Sequence, residues 1–266
     1  MSHKLAVILF FLPAMALGQA DTADFSLIPK GEYFKSYIDD SKHIITSPGR
    51  FDRNDWLTAA GTVAGGALLF TRDQAINRFW KNNSAYWADQ AIRYGLEPFG
   101  RGIYPAVITG GLYIHGTVTR NAYNRNVALT TAKAVIISGI LTQVTKQLFH
   151  RHRPSQVHPG KWEGPFAPAK YNAFPSGHSC MAFTFASVIA HAYRDITWLP
   201  LTAYTVATLS SAARVYSNNH WASDVFFGSM MGFFVGRSIW RLNRDGEKIH
   251  LGMTPSGIGL CVPIHR

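Results

Sequence analysis

The sequence predicts an all-α protein, an antiparallel bundle of helices with a short C-terminal β-hairpin suggested at its end. Three observations carry this reading. Six segments, at 56–71, 102–119, 127–149, 179–193, 197–214 and 221–242, stay apolar over helical lengths. Gly, Ala, Ser and Thr are scattered through all of them, as close packing of helix on helix prefers. Period-two alternation is weak and confined to 249–262, about Pro255-Ser256-Gly257, where the hairpin is placed.

Taken in order, residues 1–20 carry His3 and Lys4, an apolar run from Leu5 to Leu17, and small residues at Ala16, Gly18 and Ala20 suited to cleavage. They are read as an export signal, the run being short against the ~30 Å of a bilayer core. Residues 21–55 are polar, with turn signals at Pro29-Lys30-Gly31 and Ser47-Pro48-Gly49, and are read as an extended lead-in. One domain is expected over 56–245, since 266 residues can bury a single sizeable core. Within it the stretch 72–101, with Trp80, Tyr86, Trp87 and Tyr94, suggests a further amphipathic helix. Residues 246–266 form a tail.

Composition narrows the partners. A net charge of +11 suits an anionic one, either a phosphorylated substrate or an anionic lipid. Nucleic acid is disfavoured, because no run of Lys and Arg alternates with aromatics as single-strand binders require. Cys180 and Cys261 make no disulfide framework, and Cys180 reads as a small buried residue. No Cys/His spacing suits a metal, so neither metal nor cofactor is expected.

Chemistry concentrates between Lys146 and Asp224. Lys146 and Arg153 are seven apart, nearly two helical turns, and Pro154 frees Arg153 from helical geometry. An ammonium and a guanidinium so placed can grip phosphate oxygens. His150, Arg151 and His152 between them are weaker candidates, read as exposed. In Pro175-Ser176-Gly177-His178, Ser176 is a fitting helix cap and Gly177 lets the backbone approach a ligand. A helix starting there aims unpaired N–H groups at an anion. Arg214, His220 and Asp224 make the third pattern. With imidazole and carboxylate four positions apart, Asp224 is expected to accept from His220 Nδ1 and leave Nε2 free to attack. If successive helices run antiparallel, all three patterns fall at one end of the bundle.

In this order and at these spacings the three patterns resemble the type 2 phosphatidic acid phosphatase superfamily, which also contains class A acid phosphatases and vanadium haloperoxidases. The helix order is similar to that family's six-helix core. One departure is Ala213, where the family often has serine before the arginine. The resemblance implies a metal-independent phosphatase acting on a lipid phosphate, a lipid diphosphate or a small phosphomonoester. His220 would be the nucleophile that forms a phosphohistidine, Asp224 its orienting group, and His178 the acid and base. Lys146, Arg153, Ser176, Gly177 and Arg214 would bind the phosphoryl oxygens. Two alternatives are a vanadate-dependent haloperoxidase and a non-catalytic envelope protein that binds anionic lipid.

The loop 155–174, with Trp162, Phe166, Tyr171 and Phe174, is read either as a lid or groove for an acyl or isoprenyl chain, or as a loop packing its own aromatics. Location is expected to be the cell envelope, periplasmic with membrane association. Counting six crossings from an exported N-terminus would place the site in the cytoplasm. The arginines at 120, 125, 194, 237, 241 and 244 mark the opposite end as the cytoplasmic one, so spanning by all six helices is not assumed.

Overall fold

The computed structural model describes residues 31–246, 250–254 and 257–261. Its helices are α1 (Gly31–Ile45), α2 (Arg53–Asn82), α3 (Tyr86–Ala91), α4 (Glu97–Gly100), α5 (Ile103–Val118), α6 (Ala122–Phe149), α7 (Gly177–Ala192), α8 (Trp198–Tyr216) and α9 (Ala222–Gly246). Strands β1 (His250–Thr254) and β2 (Gly257–Cys261) pair antiparallel around the second Pro-Ser-Gly. The export signal expected at 1–20 lies outside the described residues.

Each predicted apolar segment lies within or close to one of the long helices, and local chemistry sets their ends. Asp52 caps α2 and shares a capping box with Asp55. Asn121 accepts from Asn124 N–H and starts α6 five residues earlier than the apolar run suggests. Helix α2 runs on to Asn82, because nothing breaks it and because its buried residues Asp73 and Asn77 have partners inside the bundle. The stretch expected as one amphipathic helix is divided among the end of α2, α3, a π-helical turn at Ile92–Leu96, and α4.

The extended lead-in is corrected by α1. Tyr33 donates to the carbonyl of Leu129 at 2.9 Å. Asp40 meets the buried ammonium of Lys133 at 2.5 Å, and Lys133 also donates to Ser36 and Asn243. A lysine in the middle of α6 needs a counter-charge once buried, and a helix at 31–45 brings Asp40 and Ser36 onto it together. Ser47-Pro48-Gly49, read as a turn, forms a 3-10 turn.

Helix α7 is central and packs on α6, α8 and α9. Its Phe185 meets Phe99 edge to face at 5.7 Å, beside Leu112, Ile189 and Leu199. Along α9, Gly228, Gly232 and Gly236 face the α7 backbone. A Cβ on Gly228 would stand 2.3 Å from the Ser176 carbonyl oxygen, and one on Gly232 would stand 2.2 Å from that of Cys180. Bare backbone at these positions lets two helices approach closely enough to join the start of α9 to the start of α7.

Candidate active site

The end of α6 supplies the first group. The chain turns at His150 in the left-handed region (φ 41°), and the His150 N–H donates back to the Lys146 carbonyl at 3.1 Å. Lys146, in the last turn, sends its ammonium to the carbonyl of Asn172 at 2.5 Å. Arg153, beyond the turn, donates from Nε to the Asn172 side-chain oxygen at 3.1 Å. One neutral residue of the loop thus holds two cations. Among the described residues neither cation has a carboxylate within ion-pair distance.

The start of α7 supplies the second group. Ser176 N–H donates to the Asp224 carbonyl at 2.9 Å, which ties α7 to α9. Its hydroxyl caps α7 by accepting from Ser179 N–H at 3.4 Å, and Ser179 Oγ donates to it at 2.9 Å. A Cβ on Gly177 would lie 3.9 Å from Lys146 Cε, so the glycine borders the space beside the ammonium. The junction of α8 and α9 supplies the third. The Arg214 carbonyl accepts from the N–H groups of Asn219 and His220 at 3.1 and 3.2 Å, with Asn218 at φ 55° making the turn. Arg214 and His220 are therefore held by shared backbone, and Arg214 Nη1 donates to Glu97 Oε1 at 3.3 Å. A cavity of about 280 Å³ is bordered by Lys146, Gly177 and His178.

The expected pairing of His220 with Asp224 is corrected. Nδ1–H of His220 donates to the Ala173 carbonyl at 2.8 Å, whereas the nearer Asp224 oxygen stands 3.9 Å away. The tautomer is still the one expected, with Nε2 carrying the free lone pair, because a carbonyl can only accept. Asp224 is turned aside by two nearer donors. As the third residue of α9 it reaches back to the Trp221 N–H at 3.0 Å, and Arg151 Nη1 donates to it at 2.6 Å.

Arg151 is the largest surprise. Read from sequence as exposed, it is buried, as are His150 and His152. It bridges Asp224 and Asp73, donating to the latter at 2.7 Å, and donates to the Ser223 hydroxyl at 2.8 Å. Phe70, Trp162 and Trp221 enclose its guanidinium at 4.9, 4.9 and 5.3 Å. Four groups escaped the sequence reading: Arg151, Asp73, Asn172 and Glu97. A signal for Arg151 existed, since it sits beside the first pattern; Asp73 and Glu97 are far away in sequence and carry no motif.

Electrostatics follow from burial among cations. Burial pushes the His220 imidazole down to about 4; the charges of Lys146 and Arg153 act the same way and the Asp224 carboxylate opposes them. His178 falls to about 3, first through burial, then through the charges of Arg214, His220, Arg101 and Arg153. Lys146 drops to about 8 through burial and the charge of Arg153. Charge thus links His178 to Arg214, His220 and Arg153, and His220 to Lys146 and Arg153. Buried His178 Nε2 and Arg214 Nε have no partner among the described residues. No three His, Cys, Asp or Glu side chains gather as a metal-binding group among the described residues.

Most aromatics of the loop 155–174 pack against the helices and the chain just before the loop rather than forming a free groove. Trp162 touches Phe70, Phe149 and Phe174, Phe174 reaches Phe227, and Tyr171 stacks on His152 at 3.7 Å. Phe166 is fully exposed.

Residues 127–247 match the profile of the PAP2 superfamily. A lipid A 1-phosphatase of Porphyromonas gingivalis is 39% identical over 66 residues, which is 24% of this chain and 15% of that protein. An undecaprenyl-diphosphatase of Sulfolobus acidocaldarius is 29% identical over 112 residues, 42% of this chain and 52% of that one. The chain thus spans about half, or less, of the length of these curated relatives. Among solved structures, LpxE of Aquifex aeolicus superposes with a TM-score of 0.46 at 21% identity, covering 64% of this chain and 94% of that one.

Proposed function

Since residues 127–247 belong to the PAP2 superfamily, we propose that the protein is a metal-independent phosphatase of lipid phosphate esters working through a phosphohistidine. The observation that carries this is the pair Lys146 and Arg153, one buried and one half-buried, held by neutral Asn172 beside a neutral His220. Buried positive charge without a fixed counter-ion calls for an anionic ligand. A tetrahedral phosphoryl group answers it, gripped by Lys146, Arg153 and Arg214 and by N–H groups at the start of α7, where Gly177 leaves room.

His220 Nε2 attacks phosphorus, and the Ala173 carbonyl holds the ring through Nδ1–H. Asp224 acts from 3.9 Å, stabilising positive charge on the ring as the N–P bond forms. His178 gives a proton to the departing alkoxide, then takes one from the water that releases phosphate. Its low proton affinity rises once a phosphate dianion offsets the surrounding arginines. Ser176 serves through its helix cap, which holds Gly177 and His178 in place.

A lipid ester is favoured by the names of the relatives and by the apolar exterior. Ile136, Ile140, Val144 and Leu148 repeat every fourth residue on α6 and are each about half exposed. Ile103, Val107, Ile114 and Val118 on α5, spaced four, seven and four apart, are each about half exposed or more. Helix α6 is long and apolar enough to cross a membrane, with half of its apolar window buried in the protein. Apolar surface on this scale is covered by lipid acyl chains, so the protein is membrane-associated and works in the cell envelope.

Phosphate release from a lipid monophosphate in detergent tests the reading. His220→Ala should abolish turnover, and brief exposure of the wild type to labelled substrate should leave acid-labile, base-stable label on the chain. Normal hydrolysis by the His220 variant ends the assignment. Halide oxidation with added vanadate and no phosphate release would return the haloperoxidase alternative.

A further inference from the structure

The proposed reaction leaves one cation of the cluster without a task. Arg101 follows α4 with its side chain 60% exposed, and it borders the same 280 Å³ cavity as Lys146, Gly177 and His178. Glu97 Oε1 accepts from Arg101 Nη2 at 2.8 Å and from Arg214 Nη1 at 3.3 Å. One carboxylate is shared by two guanidinium groups, so this side of the cavity keeps a net positive charge. The segment is fixed: Ser210 Oγ donates to the Leu96 carbonyl at 2.8 Å, and Gly100 backs onto His178 so closely that a Cβ would stand 3.2 Å from that residue's own Cβ. Arg101 is thereby placed next to His178.

Resting on the phosphatase reading, we infer that Arg101 forms a second anion subsite on the leaving-group side, which takes the inner phosphate of a lipid diphosphate. When His220 Nε2 attacks the terminal phosphorus, the N–P bond forms and the bridging P–O bond breaks. The electron pair of that bond goes to the bridging oxygen, so the departing group is a lipid monophosphate carrying additional negative charge. An alkoxide leaving an alkyl monophosphate needs a proton from His178. A departing phosphate is stable as an anion and needs a cation beside it instead, which Arg101 supplies. Water then cleaves the N–P bond and releases inorganic phosphate.

The test uses the full chain in detergent with farnesyl diphosphate and farnesyl monophosphate, which differ by one phosphate, and reads initial phosphate release for wild type, Arg101→Ala and Arg101→Lys. Loss of one charge-assisted contact should lower the diphosphate-to-monophosphate ratio of kcat/KM by about tenfold in the alanine variant, with partial recovery in the lysine variant. An unchanged ratio, whether both activities fall together or neither falls, overturns the subsite and leaves the phosphatase reading standing. A wild-type chain that releases phosphate from neither ester removes both.

Discussion

Replacing Arg151 by methionine removes the charge that joins α2 to α9 while keeping most of the side-chain volume. The Arg151 side chain is 3% exposed and its partners Asp73 and Asp224 are 4% and 0% exposed, so water cannot replace the lost partner. Two carboxylates would be left in a site enclosed by Phe70, Trp162 and Trp221. Breaking a buried pair in this way costs about 3–5 kcal/mol, a large part of the roughly 5–15 kcal/mol that holds a domain folded. For a chain of this size that is a fall in melting temperature of about 6–20 °C. Arg151→Lys keeps a charge but cannot bridge both acids, and should fall between the two. Because Asp224 lies 3.9 Å from His220, kcat should drop more than KM rises in the lysine variant. The assay is thermal unfolding in detergent beside steady-state kinetics. A methionine variant melting within about 2 °C of wild type would refute the view that this network organises the site.

Three further outcomes are expected. Lys146, lowered to about 8, is charged below that pH and neutral above it, so kcat/KM should fall as pH rises beyond about 8; Lys146→Arg should remove this limb, and a limb that persists in the variant would contradict the assignment. For His220 the folded state protonates near 4 and the unfolded chain near the ordinary value of about 6.5, so the unfolded state binds more protons between them and stability declines as pH falls through that window. Its share is about 1.4 kcal/mol per pH unit, read as a shallower acid-side loss in denaturant titrations of His220→Gln. Gly228→Ala would drive a methyl against the Ser176 carbonyl, costing about 1–3 kcal/mol and moving α9 away from the start of α7; turnover should fall along with stability, and a variant unchanged in both would show that the close approach is dispensable.

Much of the architecture is legible in the residues because helix signals are local. Apolar runs with small residues, and Ser176 as a cap, act over a few neighbours. The same locality explains the misreadings. Residues 31–45 look like a polar lead-in until Lys133 on α6 offers Asp40 a buried partner. Arg151 looks like a solvated charge until Asp73, 78 residues earlier, meets it.

From the chain alone come the helices, the three patterns, and the candidate groups Lys146, Arg153, His178, Arg214 and His220, since period, spacing and side-chain chemistry are written into consecutive residues. Tertiary structure alone decides which carboxylate holds which cation, that a backbone carbonyl rather than Asp224 accepts from His220, and that Glu97 links Arg101 to Arg214. Those outcomes depend on competition among donors brought together from distant positions: a carboxylate goes to the closest charged partner in a dry site, and no local pattern records which partner arrives first.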